Sequence, residues 1–181
     1  LTLSGSLALV SYDGIQFTYM SPSSFTDDML SYVMDKLRII SGFYGVLRPL
    51  DGIVPYRLEM ESKININGKG DLYSFWGKSL AEEVGRGESL VVNLASEEYS
   101  KAVIPHLEKH MEVVTPLFLE EVDGSYVTKG VYAKMARGEM VRFLSENNVE
   151  DREGIKEFSV RGYRYDEALS SSNKMAFVRK G

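Results

Sequence analysis

The sequence predicts a mixed α/β fold, one sheet with helices around it, in a single domain over residues 1–181 and without the clean parallel order of a Rossmann fold. Three observations lead there. The β-branched run SLVVNLA at residues 89–95 reads as a buried strand, and the stretches at residues 24–37 and 131–146 carry apolar residues at helical spacing. Between two strand-like runs sits Asp123-Gly124, a hairpin turn that brings an antiparallel pair into the sheet. Strands that alternate with helices but also return by a hairpin make a mixed sheet. No repeat, low-complexity tract or long linker interrupts the 181 residues.

In chain order, LALVS (Leu7 to Ser11) predicts a short strand closed by the Asp13-Gly14 turn pair. A helix follows, with Ser24 or Thr26 as N-cap, Asp27 and Asp28 in its first turn, and Leu30, Val33, Met34 and Leu37 along one face. Arg38 to Ile40 starts a strand, but Gly42, Gly45, Pro49, Gly52 and Pro55 forbid a long regular element before residue 60. A second helix spans Leu72 to Val84, capped by Asp71 and stopped by Gly85. After the strand at 89–95, Ser96 caps a short helix whose first turn holds Glu97 and Glu98. Residues 111–121 form a strand in which Pro116 predicts a sheet edge or bulge. Asp123-Gly124 turns it into SYVTK, a long helix covers Val131 to Glu146, and Lys174 to Arg179 is a last strand.

Composition narrows the chemistry. With no cysteine, a disulfide scaffold, thiolate zinc, cysteine-ligated iron–sulfur clusters and thiol catalysis are excluded. The net charge of -5 and pI near 5.2 argue against a protein coated in nucleic acid, yet allow a local basic patch. No apolar run reaches the roughly 18–20 residues that cross a bilayer, and no basic-then-apolar leader opens the chain. The expectation is a cytoplasmic protein with no membrane partner and no cofactor. Leu1 rather than Met at the start suggests a truncated chain.

Few motifs carry chemistry. His106 and His110, four apart in PHLEKH, would share a helix face, but Glu108 falls on another, so surface histidines and no tightly held metal are expected. There is no G-x-S-x-G elbow, and neither Gly68-Lys69-Gly70 nor Gly85-Arg86-Gly87 fits a phosphate loop. The stretch LRPLDGIVPYRLEM gathers Arg48, Asp51, Tyr56, Arg57 and Glu59 within twelve positions. It reads either as an internal ion-pair network, with Arg57 buried against Asp51 or Glu59, or as an anion pocket to which Asn93 and Ser96 would add polar groups. On the helix VYAKMARGEMVRFLSENN, Lys134, Arg137 and Arg142 fall within one arc. Tyr132, Ala136, Met140 and Phe143 lie opposite, with Glu139 at the margin. A basic face of this kind is either solvated or contacts phosphate.

Several segments together resemble one family. SGFYGVLRPLDGIVPYRLEM, KGDLYSFWG, VVNLASEEYSKAV, PLFLEE, VYAKMARGEMVRF and GYRYDEALSS are similar, in this order, to the YaaA family of bacterial peroxide-stress proteins. The resemblance implies a cytoplasmic protein that protects cells from hydrogen peroxide by limiting free iron and its damage to DNA. It also implies a DNA-binding role and brings no established enzymatic activity. Family members open with a strand and a Ser-Pro-Ala-Lys stretch that has no counterpart here, which fits a chain lacking the family's N-terminal segment. The leading expectation is a non-enzymatic DNA-binding role through Lys134, Arg137 and Arg142, extended by Arg48 and Arg57. Three phosphate contacts would give duplex binding a log–log salt slope of about -2.7. The alternative is an uncharacterised enzyme or a small-anion or nucleotide binder with an arginine-lined pocket.

Overall fold

The computed structural model describes residues 5–181. Its elements run β1 (Ser6–Leu7), α1 (Ala8–Ser11), α2 (Ile15–Met20), α3 (Asp27–Lys36), β2 (Ile39–Ser41), β3 (Gly45–Leu47) and β4 (Gly52–Ile53). Next come α4 (Leu72–Trp76), α5 (Ser79–Val84), β5 (Leu90–Val92), α6 (Glu97–Ser100), β6 (Glu112–Val122) and β7 (Ser125–Val127). The last are α7 (Gly130–Glu146), α8 (Arg152–Lys156), β8 (Arg164–Ser171) and β9 (Lys174–Lys180). The largest sheet has the order β5-β6-β9-β8, with β7 beside β6. β6 is parallel to β9, whereas β8 and β7 are antiparallel to their neighbours, so the sheet is mixed as the sequence predicts. No described helix is long and apolar enough to cross a membrane.

The chain divides into two units. The first takes the chain up to Ser11, Lys36–Val91 and Ala95–Val113. Its core is Met60, Leu72, Leu80, Ala81, Ala102 and Val103. Asp71 caps α4 as expected, its Oδ1 accepting from the Ser74 N–H at 2.6 Å. The helix predicted to run on to Val84 instead breaks at Gly77 (φ 53°, ψ -123°), a conformation open to glycine and strained for other residues. LALVS is likewise only a strand at its start. Ser6 and Leu7 pair with β4, after which Ala8 and Leu9 turn helical and donate to the carbonyls of Asp51 and Pro49. Backbone partners forty or more positions away decided the conformation, not the apolar run.

The second unit comprises Tyr12–Asp35, Val92–Leu94 and Val114–Gly181. Phe118, Phe158, Tyr163 and Phe177 are fully or almost fully buried and meet edge-on or stacked. α7 packs on α2 at Gly138, where an added Cβ would lie 2.0 Å from the Gln16 carbonyl oxygen. In α3, Met29 and Val33 face the core while Met34 is exposed, and Thr26 Oγ1 accepts from the Met29 N–H.

Two sequence expectations about strands need correction. Residues 90–92 are half-buried and apolar, because β5 ends the strand order and has β6 on one side only. β6 runs unbroken through Pro116, which pairs with Met175. Glu112 N donates toward β5 at Ser89 and Thr115 N toward Asn173 at the start of β9, so donors alternate between the two sides. The missing N–H of Pro116 therefore faces the side where β5 has already ended and β7 begins only opposite Glu120. Proline sits at a local gap rather than at a full edge or bulge.

Candidate functional site

The alternation of β6 sends Val114, Pro116, Phe118 and Glu120 to the buried face and leaves Glu121 outside. Glu120, 1% exposed, is in register with Arg179 of β9 and accepts from its Nε at 2.7 Å. Lys129 Nζ lies 3.1 Å from the other carboxylate oxygen. Burial alone would raise the Glu120 pKa, but the bonds from Arg179 and Lys129 outweigh it and hold the carboxyl below its ordinary range. The Arg179 guanidinium stacks over Tyr132 at 4.3 Å and Tyr163 at 5.1 Å.

A second pair completes this network. Glu139, buried on α7, accepts from Arg161 Nε at 2.5 Å, and Arg161 covers the Tyr19 ring at 4.8 Å. The arginine sits at φ 54° and is followed by Gly162 at φ 81°, so a left-handed turn delivers it. The Tyr163 hydroxyl and Glu139 Oε2 are buried without a hydrogen-bond partner among the described residues. Burial raises the Tyr163 pKa, with Arg179 opposing and Glu120 and Glu139 reinforcing the shift. Sequence reasoning put Glu139 at the margin of a polar stripe and did not single out Glu120, Lys129, Arg161, Tyr163 or Arg179. The run VTPLFLE does not alternate in sequence, so the burial of Glu120 follows only once β6 is seen to run unbroken.

The three basic residues of the predicted stripe differ in their surroundings. α7 buries Ala133, Ala136, Gly138, Glu139, Met140, Val141, Leu144 and Ser145, a wide arc, because α2 packs on it as well as the core. Arg142 is committed, with Nε 2.7 Å from Glu146 Oε1, Nη1 on the Ser24 hydroxyl at 2.6 Å and its guanidinium over Phe25. Lys134 is exposed. Arg137 is half-buried one turn from buried Ala133 and Val141. Desolvation lowers its pKa. Neither Arg137 nor Lys134 has an ion-pair or hydrogen-bond partner among the described residues, whereas Arg142, Arg161 and Arg179 of the same unit are ion-paired.

The arginine loop also differs from expectation. Arg57 is exposed and has no acidic partner among the described residues, which overturns its expected burial against Asp51 or Glu59. Inward packing falls to Ile53 and Met60 and in part to Tyr56 and Leu58, while Arg57 and Glu59 are exposed. Arg48 pairs with Glu83 at 3.3 Å, while Asp51 accepts from the Arg48 backbone N–H and so closes a turn. Tyr56 shares a 2.6 Å hydrogen bond with Ser41. Ser96 precedes α6 without a side-chain cap bond, and Asn93, in the other unit, donates to Thr115. His106 lies in a 3-10 turn and His110 beyond it, both exposed, so no helix face pairs them. Among the described residues no group of three histidines or carboxylates converges to hold a metal ion.

Comparison with known proteins gives one consistent match. The family described as peroxide stress protein YaaA matches residues 2–169. A UPF0246 protein of Limosilactobacillus reuteri (strain DSM 20016) is 48% identical over 170 residues, 94% of this chain and 68% of the relative. One from Desulfitobacterium hafniense (strain Y51) is 47% identical over 181 residues, covering 99% and 72%. The protein of that name in Agathobacter rectalis is 46% identical over 173 residues, covering 96% and 70%.

Proposed function

Given that this chain belongs to the YaaA family of peroxide stress proteins, we propose that it serves the cytoplasmic peroxide-stress response by binding DNA through phosphate, limiting the iron-driven damage that DNA suffers. The observation that carries this reading is Arg137. Its guanidinium is half desolvated, offers a planar fork of donors, and has no carboxylate among the described residues to neutralise it. A phosphate oxygen supplies the missing partner. Lys134, three positions earlier on the same helix, adds a second cation.

Because Arg142 is held by Glu146 and Ser24, two contacts replace the three counted from sequence. Titration of duplex DNA against salt is then expected to give a log–log slope of about -1.8. Fourfold more salt would weaken binding about twelvefold. A slope near zero would count against DNA binding.

The partial burial of Arg137 favours a second reading, a small oxyanion held in a depression. Inorganic phosphate at millimolar concentration would then compete with DNA far beyond its ionic-strength effect. Competition no stronger than that of an equal ionic strength of chloride would eliminate it.

A further inference from the structure

We infer that the tip of the β2–β3 hairpin is a stacking platform for a base of single-stranded nucleic acid. β2 and β3 pair with Ser41 opposite Gly45, leaving Gly42, Phe43 and Tyr44 as the connecting loop. Hydrogen bonds hold this loop at its base. The buried Ser41 hydroxyl accepts from the N–H groups of Phe43 (3.1 Å) and Tyr44 (2.9 Å) and bonds Tyr56. Trp76 Nε1 donates to the Gly42 carbonyl at 3.0 Å, and the Tyr44 hydroxyl accepts from the Val54 N–H at 3.0 Å. Neither glycine has room for a side chain: a Cβ on Gly42 would lie 2.8 Å from the Leu58 carbonyl, and one on Gly45 2.9 Å from the Trp76 ring.

What this frame presents is Phe43, 53% exposed. One face of its ring stacks on Tyr56 at 5.3 Å and 29°, and Tyr44 meets both rings edge-on. A flat aromatic, held in place and half exposed to water, is preorganised to take another planar ring, and base–aromatic stacking needs no sequence preference. Arg57, next in the chain to Tyr56, is exposed and has no acidic partner among the described residues, so a cation is available for the phosphate that accompanies a base. An apolar peptide would use the ring but leave that cation unanswered. The platform lies in the first unit, whereas Arg137 lies in the second, so the two assignments fail separately.

The test is fluorescence anisotropy with a short labelled oligothymidylate, beside a labelled duplex. Phe43→Ala is expected to weaken single-strand binding about tenfold, and Phe43→Trp to keep it. Arg57→Ala should reduce the salt slope by about 0.7. Since Phe43 is half exposed but stacked on Tyr56, Phe43→Trp should melt with the parent and Phe43→Ala within about 6 °C of it, and duplex binding should respond to Arg137→Ala instead. Unchanged affinity in Phe43→Ala, equal loss in Phe43→Trp, or a parent that binds an apolar peptide but no oligothymidylate would overturn the assignment.

Discussion

Glu120→Gln is expected to destabilise the protein by about 3–5 kcal/mol at neutral pH, because it leaves the guanidinium of Arg179 without its carboxylate. Arg179 is 16% exposed and lies over the rings of Tyr132 and Tyr163, which solvate a cation far less well than water. Lys129, about half exposed, reaches solvent and adds little. For a chain of this length the loss corresponds to a fall of about 6–20 °C in melting temperature. The effect also has a pH signature. The folded-state pKa of Glu120 is held below its ordinary value, so the stability it contributes is complete above the ordinary carboxylate range and disappears as pH falls through the folded-state value. The gap between parent and variant in urea midpoint should therefore be full at pH 7 and shrink below about pH 4. A gap under about 1 kcal/mol at pH 7 would mean that the pair is not structural.

Gly138→Ala is the second large effect, and its sign is the opposite of what helix propensity gives. Alanine in a helix interior is normally favoured over glycine by about 1 kcal/mol. At this position the new Cβ would fall 2.0 Å from the Gln16 oxygen and 2.8 Å from the Met20 nitrogen, both backbone atoms that no rotamer change can move. α2 must shift bodily away from α7, and overpacking of this kind costs about 1–3 kcal/mol or more. Gly130→Ala is the control, since nothing lies within 4 Å of its Cβ position. Thermal unfolding should show Gly138→Ala melting well below the parent and Gly130→Ala within a degree or two. If Gly138→Ala melts at or above the parent temperature, the close helix contact is wrong.

The sequence carried the elements that local rules dictate. Asp71 as a cap, Asp123-Gly124 as a hairpin turn, with both residues at positive φ, and the span of α7 all follow from one or two residues each. It misled where tertiary contacts decide. α7 has a polar-looking stripe, yet packing buries Glu139 at its margin and half-buries Arg137, while Lys134 stays exposed. The Glu120–Arg179 pair depends on the parallel register of two strands about sixty positions apart, which no local pattern states. The apolar neighbours of Arg57 point to an inside position, but burial alternates along residues 55–60, and Tyr56, Leu58 and Met60 take the inner positions.

In the proposed function Arg137 meets phosphate. The direct measurement is duplex DNA affinity of parent and Arg137→Ala at several salt concentrations, on two unrelated sequences, with circular dichroism to establish that both are folded. The expected result is a loss of about tenfold or more on both sequences alike, with the salt slope flattened by about 0.9. Equal affinity and equal slope for the two proteins would contradict the claim and leave Arg137 as a half-buried cation with no DNA-binding role.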